Sequence, residues 1–110
     1  FWKLRNFKSL ALDHNQIKIL PPDVGSCAEL EYLYLQRNQL STLPVKLLSC
    51  SKLRYLLLNL NRFTSLPEFL LSFRKLETLE AVGNPLTTIP RGFFERDWIY
   101  LSLPEELLRK

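Results

Sequence analysis

The chain is poor in the residues that carry chemistry. Its one histidine, His14, stands beside Asp13, and no pattern places a serine or cysteine nucleophile near it. A catalytic triad is therefore unsupported. That histidine and two cysteines, Cys27 and Cys50, fall short of a zinc site. The three glycines form no phosphate-binding loop. No catalytic residue, metal or cofactor is expected.

Other absences bound the setting. No apolar run approaches the roughly 20 residues that cross a bilayer, so direct membrane insertion is not expected. The opening Phe1-Trp2-Lys3-Leu4-Arg5 lacks the apolar core and cleavage site of a signal peptide. No Asn-x-Ser/Thr sequon occurs, and two cysteines are few for a small secreted scaffold. Both points favour a reducing compartment. Lysine and arginine exceed the acids only to a net +4, and they are scattered. A nucleic-acid stripe would be denser, so the charge is read as serving solubility.

What the chain does have is a period. Asn15, Asn38, Asn61 and Asn84 follow one another at 23 residues, as do Pro21, Pro44, Pro67 and Pro90. The same step links Leu20, Leu43, Leu66 and Ile89, and Phe7, Leu30, Leu53, Leu76 and Ile99. Several independent ladders of one period mark a repeat array.

Each part of the unit has a physical role. Around Leu33 and Leu35 apolar residues alternate, which predicts a short strand with one inward face. Strands of successive units then lie side by side as a parallel sheet. The asparagine stands where the chain turns away, and its amide can pair turn groups that would otherwise be buried alone. After Leu-Pro, the spacing of Leu47 and Cys50 becomes helical, so the return limb is a helical turn with proline at its first position. Cys27 and Cys50 share the inward position of Phe73 and are expected to be core thiols.

The second unit, from Leu30 through Leu33, Leu35, Asn38, Leu40, Leu43-Pro44 and Leu47 to Cys50, resembles the leucine-rich repeat pattern. The resemblance covers residues 7–98 in four units: 7–29, 30–52, 53–75 and 76–98. It implies an α/β solenoid with a curved parallel sheet on the concave face and short helices or turns on the convex face. The Leu-Pro subtype resembles the intracellular arrays of Ras-associated scaffold proteins and of Erbin- or Scribble-like polarity proteins. That implies a cytoplasmic scaffold or adaptor that binds another protein and has no activity of its own. The alternatives are a substrate-recognition block of a larger complex, such as a ubiquitin ligase, or an extracellular receptor array. Ile89-Pro90-Arg91-Gly92-Phe93-Phe94 is similar to a turn of the last class.

Residues 1–6 read as the tail of an earlier unit, with Phe1 at the place of Val24 and Leu4 at that of Cys27, so an excerpt of a longer array is expected. Residues 99–110 read as a shortened capping unit, since Leu103-Pro104 comes about ten residues early. Arg96 at an inward position also suggests that regular stacking ends there.

Outward strand positions form the expected binding face. The first column is Ser9, Tyr32, Tyr55 and Thr78; the second is Ala11, Tyr34, Leu57 and Glu80. The third is Asp13, Gln36, Asn59 and Val82, with His14, Arg37, Leu60 and Gly83 where the strand ends. Candidate partner contacts are Tyr32, Tyr34, Gln36, Arg37, Tyr55, Leu57, Asn59 and Glu80, because tyrosine gives large contact area at little entropy cost. Lys8, Glu31, Arg54 and Glu77 read as a solvated ladder of alternating sign. Leu48, Leu71 and Phe94 follow inward residues on the return limb and are candidates for a second, convex interface.

Overall fold

A computed structural model of the chain describes residues 5–108. Phe1 and Leu4 lie outside the described residues. The architecture is an open five-stranded parallel sheet whose spatial order is the chain order. Strands β1 (Ser9–Ala11), β2 (Tyr32–Tyr34), β3 (Tyr55–Leu57), β4 (Thr78–Glu80) and β5 (Tyr100–Ser102) have three residues each. Short 3-10 helices at Pro22–Ser26, Val45–Ser49 and Glu68–Ser72 carry the chain back between strands. A single α-helical turn, α1 (Glu105–Leu108), follows β5.

The return limbs are 3-10 because of what each must bury. Val24 and Cys27, Leu47 and Cys50, and Leu70 and Phe73 are each three residues apart and all point into the core. A helix of three residues per turn stacks such positions on one face. Each of these limbs makes two short-range bonds, such as Leu47 N–H to the Pro44 carbonyl at 3.0 Å and Cys50 N–H to the Leu47 carbonyl at 2.9 Å. Pro21, Pro44 and Pro67 stand one place earlier than expected, as the caps in extended conformation. They contribute the first acceptor rather than the first helical residue.

Between the sheet and the limbs lies one continuous core. Leu30, Leu33, Leu35, Leu40, Leu47 and their counterparts in the third unit are fully buried. Cys27 and Cys50 are buried free thiols. Burial pushes the Cys27 thiol up, and burial together with the neighbouring Cys27 pushes Cys50 up to about 11. Thiol labelling of the native chain should therefore be slow, with two groups reacting only on unfolding. Because folding favours the protonated thiol, this contribution is complete below the unfolded-state value and is lost as pH rises towards 11. Fast labelling of either cysteine in the folded chain would overturn this burial.

The asparagine ladder ties the units together. Asn38, Asn61 and Asn84 are buried. The Asn61 amide donates to the Leu35 carbonyl of the preceding unit at 2.9 Å and to Leu58 at 3.1 Å, while its oxygen accepts from Leu40 N–H at 3.0 Å. Asn38 and Asn84 repeat this bonding one unit to either side. Asn15 is exposed and donates only locally, to the carbonyls of Leu12 and Asp13.

Two ends of one expected ladder depart from it. Leu30, Leu53 and Leu76 are buried, but Phe7 is 48% exposed and Ile99 74% exposed. Ile99 is also out of register, because β5 pairs Thr78 with Tyr100, a step of 22 rather than 23 residues. The backbone amides of Ile99 and Tyr100 both reach the Glu77 carbonyl, as those of Glu77 and Thr78 reach Arg54. Ile99 thus extends the column of Glu77, and half-buried Trp98 takes the place of Leu76. One residue is missing between Arg96 and Trp98 relative to the stretch from Phe73 to Leu76.

Arg96 occupies the position of Cys27, Cys50 and Phe73 and solves it differently. Its guanidinium donates to the carbonyls of Leu71, Phe73 and Leu76 and lies 5.1 Å from the Trp98 ring. Burial lowers its proton affinity, and these oxygens are what make the half-buried charge tolerable. The limb at residues 91–95 is a turn without a 3-10 helix.

Candidate functional site

The outward columns form as the alternation predicts. β1 to β4 pair Ser9, Tyr32, Tyr55 and Thr78 in one row and Ala11, Tyr34, Leu57 and Glu80 in the next. The 22-residue step adds Tyr100 to the first row and Ser102 to the second. Sequence reasoning missed these two because Ile99 imitated an inward residue. Tyr32 and Tyr55 stack with ring centroids 4.7 Å apart and planes at 22°. Thr78, between Tyr55 and Tyr100 in its row, is buried despite pointing outward. Tyr32, Tyr34, Gln36, Tyr55, Leu57, Asn59 and Glu80 are half-buried, and Arg37, where β2 ends, is exposed.

The polar members of this face are not equally available. Asn59 donates to the Glu80 carboxylate at 2.8 Å and accepts from Val82 N–H at 2.9 Å, so both residues are held within the molecule. Asp13 pairs with His14 at 2.9 Å, and that hydrogen bond holds its carboxyl below the usual range. Gln36 differs: its side-chain oxygen is buried and has no donor.

At the upstream end of the strands the alternating charges meet as expected. Arg54 reaches Glu77 at 3.0 Å and Glu31 at 3.4 Å, and its guanidinium lies 5.4 Å from the Tyr55 ring. Donation to the Glu77 carboxylate, then that to Glu31, raises the Arg54 proton affinity. Lys52 similarly pairs with Glu29 at 2.7 Å, which lowers the Glu29 carboxyl. All five groups are partly solvated, so these pairs orient side chains more than they stabilise the fold.

Where the strands end, a ladder appears that composition alone conceals. His14, Arg37 and Leu60 have φ of 59°, 59° and 58°, and Gly83 has 73°. All four are left-handed, at the 23-residue step, and only glycine adopts that conformation without steric cost. The single sequence signal was Gly83. A Cβ there would stand 2.5 Å from Cδ2 of Leu60, so the glycine also makes room for its neighbour.

On the convex side the three candidate residues separate. Leu48 and Leu71 are half-buried against the core, whereas Phe94 is 63% exposed. Gly25 holds the equivalent position in the first unit, where a Cβ would come within 2.5 Å of the Lys46 carbonyl. The first two limbs approach too closely for any side chain there. Among the described residues no group of His, Cys, Asp and Glu could hold a metal ion. No helix among them is long and apolar enough to cross a membrane.

One open sheet, one repeated side-chain position per unit and a layer of stacked return limbs define a repeat solenoid that presents a surface. The chain belongs to the leucine-rich repeat family, which it matches over residues 28–86, more than half its length. It is similar to a leucine-rich repeat protein of Leptospira interrogans, with 30% identity and a TM-score of 0.77 over 81% of this chain. The chain spans 23% of that protein. It is also similar to the leucine-rich repeat ectodomain of the receptor kinase SOBIR1 from Arabidopsis thaliana, at 27% identity and a TM-score of 0.50. That match covers 88% of this chain and 60% of the ectodomain. No curated protein matches the chain. Leucine-rich repeat domains generally mediate protein–protein interaction and are generally not enzymes.

Proposed function

We propose that the chain is a cytoplasmic scaffold or adaptor module of the intracellular Leu-Pro type that binds a partner protein on its concave face. The observation that carries this reading is the patch of Tyr32, Tyr34, Tyr55 and Leu57, which adjoin across β2 and β3 and remain partly open to solvent. The core is complete without them. Aromatics held by stacking lose little entropy on binding, which favours their use as anchors. The two buried free thiols support a reducing compartment.

A photo-crosslinking residue in place of Leu57 would trap the partner, and the same probe in place of Lys46 on the return limb would not. Titration with that partner should then show Tyr34→Ala and Tyr55→Ala each weaker by about 1–3 kcal/mol. Lys46→Ala and Arg91→Ala should change binding by about 0.5 kcal/mol or less. Melting curves must accompany the titrations, because a destabilised sheet also loses its partner. Folded tyrosine variants that bind normally would remove the concave site. Loss of binding in Leu71→Glu or Phe94→Glu, with the fold intact, would move it to the convex side.

A second reading has one feature in its favour. Gly92, with φ of 91°, stands within the 89–94 turn that resembles extracellular arrays. An extracellular receptor array would place the native chain in an oxidising compartment, so the localisation of the tagged protein separates the two readings.

A further inference from the structure

We infer that the partner presents a carboxylate beside an apolar side chain, and that Arg37 and Leu60 receive the two at the downstream rim of the concave face. This rests on the concave face being the binding face and adds the chemistry of what binds there.

The inference starts from the charges that end the strands. Asp13, His14, Arg37 and Glu80 are the acidic and basic residues of the second and third columns and of the rim. Asp13 and His14 hold each other, and Glu80 accepts from Asn59. Arg37 is exposed and has no partner among the described residues. A guanidinium left unpaired in a row of satisfied groups is set for a carboxylate, which it can grip through two parallel hydrogen bonds.

Leu60 is the equivalent residue one unit on, about 5 Å away across the sheet. It is 44% exposed although leucine has no polar reason to be at the surface. Its backbone is left-handed, a strained state for leucine, and its side chain lies against the space that Gly83 leaves empty. Glycine at 60 would relieve that strain, as Gly83 does in the next unit. Strain retained at an exposed apolar residue marks a contact. Immediately before Arg37, the Gln36 oxygen has no donor among the described residues, and turning this half-buried side chain outward would let a partner backbone N–H supply one. Acceptor, cation and apolar contact thus adjoin on units two and three.

Selection of a random phage-displayed peptide library on the folded chain tests this. Enriched peptides should place Asp or Glu within two residues of Leu, Ile or Phe. A synthetic peptide of that consensus should bind about tenfold more weakly to Arg37→Gln and to Leu60→Gly, while Leu60→Gly melts no lower than the parent. Added salt should weaken the peptide against the parent but hardly against Arg37→Gln. Arg37→Glu should instead select basic peptides. No enrichment, enrichment without an acid, or equal affinity for Arg37→Gln would overturn the inference. If Tyr34→Ala weakens the peptide and Arg37→Gln does not, only this inference fails. If neither change matters, the concave reading fails with it.

Discussion

Asn61→Leu should destabilise the chain by about 3–5 kcal/mol, measured as the shift in urea unfolding followed by circular dichroism. The leucine is similar in volume but leaves the Leu40 N–H without its acceptor and the Leu35 and Leu58 carbonyls with one amide donor each, from Asn38 and Asn84. The orphaned buried N–H costs about 1–3 kcal/mol and each carbonyl bond lost adds about 1 kcal/mol, reduced where the turn relaxes enough to admit water. Asn61→Asp separates the roles of the two ends of the amide. Its oxygen can still accept from Leu40, but a carboxylate now faces two carbonyl oxygens. The variant should be least stable at neutral pH and recover in part as acid protonates the side chain. Protonation is favoured in that folded site, so stability rises as pH falls. Asn15→Ala is the control: Asn15 is exposed and bonds only within its own turn, so its loss should cost about 0.5–1 kcal/mol. Equal costs at positions 15 and 61 would show that the ladder adds nothing between units.

Phe63→Ala should cost a similar amount, about 3–5 kcal/mol, by a different mechanism. Phe63 is fully buried at a position where the other units hold Ile17, Leu40 and Leu86. Truncation removes the apolar transfer energy and leaves a cavity between layers that are fixed by the strand and limb ladders. Phe63→Leu, which installs what the neighbouring units use, should cost only about 1–2 kcal/mol. Guanidinium denaturation with an unchanged slope measures both. If the alanine variant is no worse than the leucine variant, the layers collapse freely and the core is looser than its burial implies.

Repetition made most of this molecule readable. A residue type that recurs at a constant step reports its environment several times, so the inward leucines, the asparagine ladder, the buried thiols and the Tyr32–Tyr55 neighbours could be placed from spacing. What escaped were events that occur once. Ile99 is apolar and falls on the 23-residue step, yet the shortened turn before Trp98 moves it to the exposed column of Glu77. No pattern of hydrophobicity distinguishes those two outcomes. The left-handed ladder escaped for another reason: His14, Arg37 and Leu60 share no chemistry, because their conformation is imposed by the turn and not by their side chains. Within the candidate site, seven of the eight residues were placed on one face by alternation, and Arg37 by its position where β2 ends. The Asn59–Glu80 bond, which withdraws two of them, depends on side-chain reach across the sheet.

The asparagine bonds run in one direction, each from a unit to the one before it. Asn38 binds the first unit, Asn61 the second and Asn84 the third. No asparagine follows Asn84 in the sequence. The join between the fourth unit and β5 therefore has no asparagine in that role and uses backbone pairing, including Ala81 N–H to Ser102 and the two amides on Glu77, together with the Trp98 indole N–H donating to the Phe93 carbonyl. Mechanically, the molecule is a stitched strip with three seams sewn by asparagine and a fourth fastened by other means. Bending is resisted by buried amides along the stretch that carries Tyr34, Arg37 and Leu60. A partner seated on units two and three thus meets a stiff surface.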